Sequence, residues 1–186
     1  MTAQAFLSLA TAFGLSTAAG LNTYIPLLVV ALLARLTPLI TLNEPYDALS
    51  NWWVIGTLAV LLVVEVLVDK VPAADTVNDI IQTFIRPTAG ALLFAATTRT
   101  IGIHPVLAAI CGVVVAGGVH AVKAGGRPVV AATTAGIGNP IVSTIEDVIS
   151  LVTSVLAIVA PYLIVALIVT SGSLIAWWYM RRRRRV

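Results

Sequence analysis

The chain has 186 residues, of which 59% are apolar and only 10% are charged, and its mean hydropathy is +1.02. A soluble domain carries roughly 25% charged residues, so this composition excludes a soluble globular domain, a disordered chain and a nucleic-acid-binding protein. The net charge of +3 comes from a terminal run of arginines at 181–185, which also sets the basic isoelectric point. The composition predicts a polytopic integral membrane protein that lies in the lipid bilayer.

Six apolar stretches follow one another along the chain, and a bilayer core needs about 20 helical residues to be crossed. They cover about 6–36, 52–69, 80–98, 104–122, 128–141 and 148–179. The sequence therefore predicts an all-α membrane bundle of about six segments. It forms one transmembrane domain over residues 1–180, followed by a basic cytoplasmic tail at 181–186. Gly20–Pro26 and Gly136–Pro140 interrupt the first and fifth stretches, so we expect broken helices there, and the fifth either crosses or is re-entrant.

The topology follows from the aromatic residues at 177–179 and the arginines after them, which are typical of a cytoplasmic stop. Six crossings then place the N-terminus in the cytoplasm as well. The cytoplasmic side would hold Lys70, Lys123 and Arg127, and the external side Arg35 and Arg99. Because no Lys or Arg precedes Arg35, we interpret the apolar N-terminus as a retained span and not as a signal peptide.

An internal repeat relates Pro72–Ile81 to Pro140–Ile149, and both stretches read P-x-x-[DS]-T-[VI]-[NE]-D-[IV]-I. The spacing divides the protein into halves of about 6–99 and 104–179 with three segments each. An odd number of crossings per half predicts two inverted repeats, an arrangement that many transporters use. The alternative is that both stretches are helix starts that converge on the same capping residues.

Two charges lie inside the predicted spans. Glu65 is roughly 6 Å from the end of its segment at helical rise, and Arg86 lies at a comparable depth in the next one. Because intramembrane ions are costly and usually pair or line a polar cavity, we expect a Glu65–Arg86 pair that faces the bundle interior. The pair either serves function or is purely structural, or Arg86 extends to the interface.

Four further residues are candidates for a polar path. His120 lies well inside its segment, with Lys123 one turn later on the same face, and it is suited to relaying protons. Asn22 and Asn139 lie in the two helix breaks and are candidate contacts for a solute or ion. Each has a structural alternative, which is a packing histidine or an amide that bonds freed backbone groups.

A group of acidic residues near the end of the second segment predicts a metal site. Asp69, Asp75 and Asp79 would hold Mg²⁺, which prefers carboxylate oxygens, and Arg86 or Lys123 would then hold a phosphate. The alternative is that these acids are interfacial or cap a helix. No other cofactor and no catalytic residue is predicted.

A face of small residues at Gly112, Ala116 and Gly117 predicts close helix packing. Its neighbour is either another helix of the chain or a second copy in a homo-oligomer.

Five motifs resemble one known family. They are Gly20–Pro26, Val68–Pro72, Phe84–Pro87, His120–Lys123 and Gly136–Pro140. In this order they are similar to the domain-of-unknown-function family numbered 4126, a family of small bacterial membrane proteins, from about Leu15 to Val155. The resemblance implies a multi-pass protein of the bacterial inner membrane, with both termini cytoplasmic by the topology above. It implies no activity and no catalytic residues.

The polar residues and broken helices favour a transporter or channel for a small solute or ion, in which Glu65 or His120 carries a coupled proton. One alternative is a membrane-embedded Mg²⁺-dependent enzyme that acts on a phosphorylated lipid. The other is a structural or assembly subunit of a membrane complex. Overall, a non-enzymatic role is favoured.

Overall fold

The computed structural model describes residues 3–69, 72–134 and 137–183, with the backbone alone for residues 72–77, 79 and parts of the last helix. The described residues form seven α-helices and two short 3-10 helices at Tyr46–Ser50 and Arg99–Ile101, without a strand. The α-helices are α1 (Ala3–Leu21), α2 (Tyr24–Leu36), α3 (Trp52–Val68), α4 (Pro72–Thr98), α5 (Pro105–Thr134), α6 (Gly138–Val159) and α7 (Pro161–Arg183). Four described stretches are long and apolar enough to cross a membrane: Ala3–Leu21, Ile80–Ile101, Pro105–Thr134 and Gly138–Val159. The predicted all-α membrane bundle is confirmed.

Helix α1 lies at the centre of the bundle, where it contacts α2, α4, α5, α6 and α7. Its buried face is made mostly of small residues, among them Ala12, Gly14 and Ala18. In lipid the hydrophobic effect does not drive helices together. Association of the helices therefore depends on close packing, which small side chains permit. The sequence of α1 therefore suits a helix surrounded by other helices.

The face of small residues on α5 packs inside the bundle. Gly112 and Ala116 are buried, and a Cβ atom added to Gly112 would overlap the backbone oxygen of Gly90 on α4. A Cβ atom added to Gly20 on α1 would lie 2.6 Å from the backbone oxygen of Ala116. Gly117 is half-buried, with Pro87 beside it. Helices α4 and α1 of the same chain therefore cover Gly112 and Ala116. A homo-oligomer stays a prediction.

The first apolar stretch forms a helical hairpin instead of one broken span. The side-chain oxygen of Asn22 accepts from the backbone N–H groups of Tyr24 and Ile25, both at 3.0 Å, and so begins α2 after α1 has ended. The start of α1, around Gln4, borders the same cavity as Ile40, which follows the end of α2. The start of α1 therefore lies at the end of the bundle that holds Arg35 and Arg99, opposite the end of Lys123 and Arg127 with which the predicted topology grouped it. The side of the membrane that each end faces stays a prediction.

The fifth stretch does not form a segment of its own. Helix α5 continues through Pro128 to Thr134, and Gly138, Asn139 and Pro140 are the first residues of α6, while Gly136 lies outside the described residues. The sixth stretch is divided at Pro161 into α6 and α7.

This change also alters the repeat. Its two copies begin α4 and lie in the first turns of α6, and these helices start at the same end of the bundle, because Asn78 and Ser143 both donate to Asp69. The two copies of the motif are separated by two helices, α4 and α5, whereas the predicted halves would separate them by three segments. The prediction of inverted halves is therefore wrong for this motif, whose copies lie on parallel helices.

Candidate functional site

Polar and charged side chains collect inside one end of the bundle. Four helices and the break between α1 and α2 contribute to this buried polar cluster. Its members are Asn22, Thr23, Glu65, Asp69, Gln82, Arg86, His120, Lys123, Arg127, Ser143, Glu146 and Asp147. Helix α5 presents His120, Lys123 and Arg127 on one face, since residues three, four and seven positions apart are neighbours along a helix.

The ion pair between Glu65 and Arg86 is fully buried within the cluster. Arg86 Nη2 lies 3.3 Å from Glu65 Oε1, and the two side chains are 0% and 1% exposed. Glu65 Oε2 and Arg86 Nε have no hydrogen-bond partner among the described residues. The pair expected from the sequence is present, but each partner retains one buried polar atom that is not satisfied.

His120 extends this pair toward the outside of the bundle. Arg86 Nη1 lies 3.0 Å from His120 Nδ1, and Thr83 Oγ1 lies 3.0 Å from His120 Nε2. Because an arginine can only donate, Nδ1 must accept, which assigns the proton of a neutral imidazole to Nε2. Nε2–H then donates to the hydroxyl of Thr83, an exposed residue of α4. A chain of polar contacts thus runs from the buried carboxylate to an exposed hydroxyl.

Lys123 and Arg127 join α5 to three other elements. Lys123 Nζ donates to the carbonyl oxygen of Leu21 at 2.9 Å and lies 2.8 Å from Glu146 Oε2. Leu21 is the last residue of α1, and the carbonyls at a helix end have no partner within their own helix. Arg127 Nη2 lies 3.5 Å from both Asp69 Oδ2 and Glu146 Oε2. The two cations therefore hold the end of α1, the end of α3 and the start of α6 together.

Asp69 directly follows α3 and accepts from both copies of the repeat motif. Ser143 Oγ donates to Oδ2 at 2.7 Å, and Asn78 Nδ2 donates to Oδ1 at 2.8 Å. Burial alone raises the pKa of Asp69, but these hydrogen bonds and the charges of Lys123 and Arg127 outweigh it, so the pKa lies below its ordinary value.

The predicted magnesium site does not find support in these contacts. Each oxygen of Asp69 accepts a hydrogen bond from a protein side chain, Asn78 or Ser143, which satisfies this carboxylate without a metal. No group of three or more acidic, His or Cys residues that could hold a metal occurs in the part of the chain that the structure describes. The side chains of Asp75 and Asp79 lie outside the described residues, so Mg²⁺ binding stays a prediction.

The break between α1 and α2 contributes two polar residues. Asn22 Nδ2 donates to Asp147 Oδ1 at 2.9 Å, while its oxygen holds the first N–H groups of α2. Thr23 Oγ1 donates to Gln82 Oε1 at 2.7 Å. The broken backbone is thus surrounded by protein side chains, which is the setting in which irregular backbone is tolerated at membrane depth.

The structure brings together most of the residues that the sequence marked as candidates. Asn22, Glu65, Arg86, His120 and Lys123 all lie in the buried polar cluster. Asn139 does not join them; it is half-buried near the start of α6, and its side-chain oxygen has no hydrogen-bond partner among the described residues.

Sequence reasoning missed six members of the cluster as site residues. They are Thr23, Gln82, Arg127, Ser143, Glu146 and Asp147. The spacing of His120, Lys123 and Arg127 would have revealed the shared face of α5, but only if the helix was expected to continue through Pro128. The acids Glu146 and Asp147 were assigned to the repeat motif and not to a buried site.

The fold and the cluster together define a helical membrane protein with an ionic network inside its bundle. Residues 9–182 match the family described as Domain of unknown function (DUF4126), so the chain belongs to this family, as the sequence motifs indicated. No curated protein and no solved structure matches the chain.

Proposed function

We propose that the protein moves a small solute or ion across the membrane and that Glu65 exchanges a proton during this cycle. The observation that carries the proposal is the unpartnered Oε2 atom of Glu65, whose side chain is 1% exposed. A buried carboxylate with one unsatisfied oxygen is costly to keep charged. An intramembrane ionisable residue in this situation is typical of ion pathways and proton relays.

The charge balance of the cluster supports the same proposal. Its described side chains include four carboxylates, and three basic side chains face them. The carboxylates are Glu65, Asp69, Glu146 and Asp147, and the cations are Arg86, Lys123 and Arg127. Because His120 is neutral in its assigned tautomer, one negative charge remains without a matching cation among these groups. A single bound proton would neutralise the cluster.

Protonation of Glu65 would change how α3 is held. In the ionised state the Glu65–Arg86 contact and the bonds of Asp69 attach the end of α3 to α4, α5 and α6. Neutral Glu65 would attract Arg86 less, while Arg86 would keep its bond to His120. The cluster end of α3 could then move away from α4, which would open the region around the break at Asn22. This is a gating step in which the proton biases two arrangements of one helix.

The test is proton movement in proteoliposomes with a trapped pH-sensitive dye. We expect the wild-type protein to collapse an imposed pH gradient, alone or on addition of a transported solute, faster than vesicles without protein. Glu65→Gln keeps the size of the side chain but cannot ionise, so we expect it to abolish this flux. The matched control is Glu44→Gln, the same substitution at an exposed residue before the 3-10 helix, which should transport like wild type.

Correct folding of each variant is checked by its elution as a single species and by its thermal unfolding. A folded Glu65→Gln protein with wild-type flux would contradict the role of Glu65. Wild-type flux no greater than that of empty vesicles, across a panel of ions and uncharged solutes, would contradict transport itself.

A further inference from the structure

A second polar region lies at the opposite end of the bundle from the buried polar cluster. It is a cavity of about 430 Å³, to which α1, α4, the segment after α2 and the junction of α6 and α7 contribute. This volume falls within the range of ligand pockets in proteins, roughly 300–1,000 Å³. A larger depression of about 630 Å³ is lined by residues of α3 alone, and one helix cannot enclose a ligand.

Hydroxyl and amide groups line this cavity together with apolar side chains. Gln4, Ser8, Thr41 and Thr100 lie on its wall, and their side chains make no hydrogen bond within the described part of the chain. They come from three separate parts of the sequence. Free donors and acceptors that converge on one cavity are the groups that fix the orientation of a bound polar molecule.

Thr11 shows how the floor of the cavity is built. Pro161 has no backbone N–H, so the carbonyl of Ala157 loses its helical partner. Thr11 Oγ1 donates to this carbonyl at 2.7 Å and thereby joins the middle of α1 to the junction of α6 and α7. The floor is therefore fixed by a contact between residues that are 146 positions apart in the sequence.

We propose that this cavity binds a small uncharged solute that carries several hydroxyl groups. None of its described lining residues is ionisable, and a charged ligand would lose hydration there without gaining a counter-charge from them. A polyhydroxylated solute can bond to the four free polar groups, while its carbon skeleton contacts apolar lining residues such as Leu7 and Ile158.

The cavity and the buried polar cluster lie along the same helix. Thr11 and Asn22 are separated by about 16 Å at helical rise. If the protein transports a solute, the cavity is the first site that the solute meets on the side opposite the cluster. Binding itself does not require proton exchange at Glu65, so the two proposals fail independently.

The test measures protection of a cysteine by solute, in detergent and without any gradient. The single native cysteine is removed by Cys111→Ala, and Ser8→Cys places a thiol on the cavity wall. We expect erythritol to slow labelling of this thiol by the uncharged reagent N-ethylmaleimide by about threefold, the factor for free solute at twice its dissociation constant. Thr41→Cys is a second reporter, should Ser8→Cys not fold.

The matched control is Ser50→Cys, a half-buried serine on the 3-10 helix that does not line the cavity. Its labelling should not change with erythritol. Adding Thr100→Val to the Ser8→Cys protein should reduce the protection, because one free hydroxyl is lost. Equal protection by choline, equal slowing at Ser50→Cys, or no protection at either reporter would overturn the proposal.

Discussion

The close helix crossings of the bundle and its buried polar cluster join their helices by different means. At the crossings, backbones approach closely because a glycine is present, as at Gly112 against Gly90 and at Gly20 against Ala116. In the cluster, long side chains of opposite charge meet, as at Glu65 and Arg86. The crossings require small side chains, whereas the cluster requires that its positive and negative charges balance. A substitution that is harmless in one region should therefore be harmful in the other.

Removing a charge from the cluster should have the largest effect. Arg86→Gln leaves Glu65 buried without its cation, and breaking a buried pair in this way costs about 3–5 kcal/mol of unfolding free energy. Denaturant titration in micelles measures this loss. Arg99→Gln, at an exposed residue of the other end, should change stability little.

The double variant Arg86→Gln with Glu65→Gln sharpens the prediction. Because no uncompensated charge remains, it should recover a substantial part of the stability that Arg86→Gln loses. Failure of this recovery would show that Arg86 acts through packing and not through its charge.

Adding side-chain volume in the middle of the bundle should cause the second-largest loss of stability. Gly112→Ala places a Cβ atom against the backbone of Gly90 and should cost about 1–3 kcal/mol. The same substitution in the same helix at Gly118 meets no atom within 4 Å and should be neutral or slightly stabilising, because alanine favours helix. Thermal unfolding of the two variants compares them directly. Equal melting temperatures would contradict the close crossing of α4 and α5.

Loss of the amide at the helix break should have a smaller effect. Asn22→Ala removes the acceptor for the first N–H groups of α2 and the donor to Asp147, and the loss of such a capping residue costs about 1 kcal/mol. Asn43→Ala, at an exposed asparagine between α2 and α3, is the control. Denaturant titration should separate the two variants, and identical curves would exclude a stabilising role for Asn22.

The ionisation of Asp69 should make the smallest contribution to stability, and this contribution should depend on pH. Its pKa is lower in the folded protein than in the unfolded chain, so its ionised form stabilises the fold at neutral pH. This contribution is lost as the pH falls below about 4, through the lowered folded value. Asp69→Asn should therefore be less stable than wild type at neutral pH and should lose less stability on acidification, as thermal unfolding across pH can show. Asp47→Asn, at an exposed aspartate, is the control and should show the pH dependence of thermal unfolding that wild type shows. If Asp69→Asn also shows the wild-type pH dependence, the account of Asp69 is wrong.

The sequence was sufficient to locate the pair at the core of the cluster. Glu65 and Arg86 lie at matching depth in neighbouring apolar segments, and a buried charge needs a partner. Hydropathy was also sufficient to predict the membrane bundle, because backbone groups in lipid must be satisfied within helices.

The path of the chain between these elements was harder to predict. Pro128 was interpreted as the start of a new segment, yet α5 includes it, because neighbouring helices and side chains can compensate for one lost backbone bond in a membrane. Asn22 was expected to interrupt one span, yet it reverses the chain. Local residues indicate that a helix ends, but tertiary contacts such as Asn22 with Asp147 determine the direction that the chain takes next.

The central claim is that Glu65 changes its protonation state while it is buried beside Arg86. Infrared difference spectroscopy of the protein in lipid, between mildly acidic and mildly alkaline buffer, tests it most directly, because a protonated carboxyl group has its own absorption band. The account predicts a band that appears on acidification in wild type and in Glu44→Gln and is lost in Glu65→Gln. A band that is the same in all three proteins, or absent from all three, would show that Glu65 does not exchange a proton and would contradict the account.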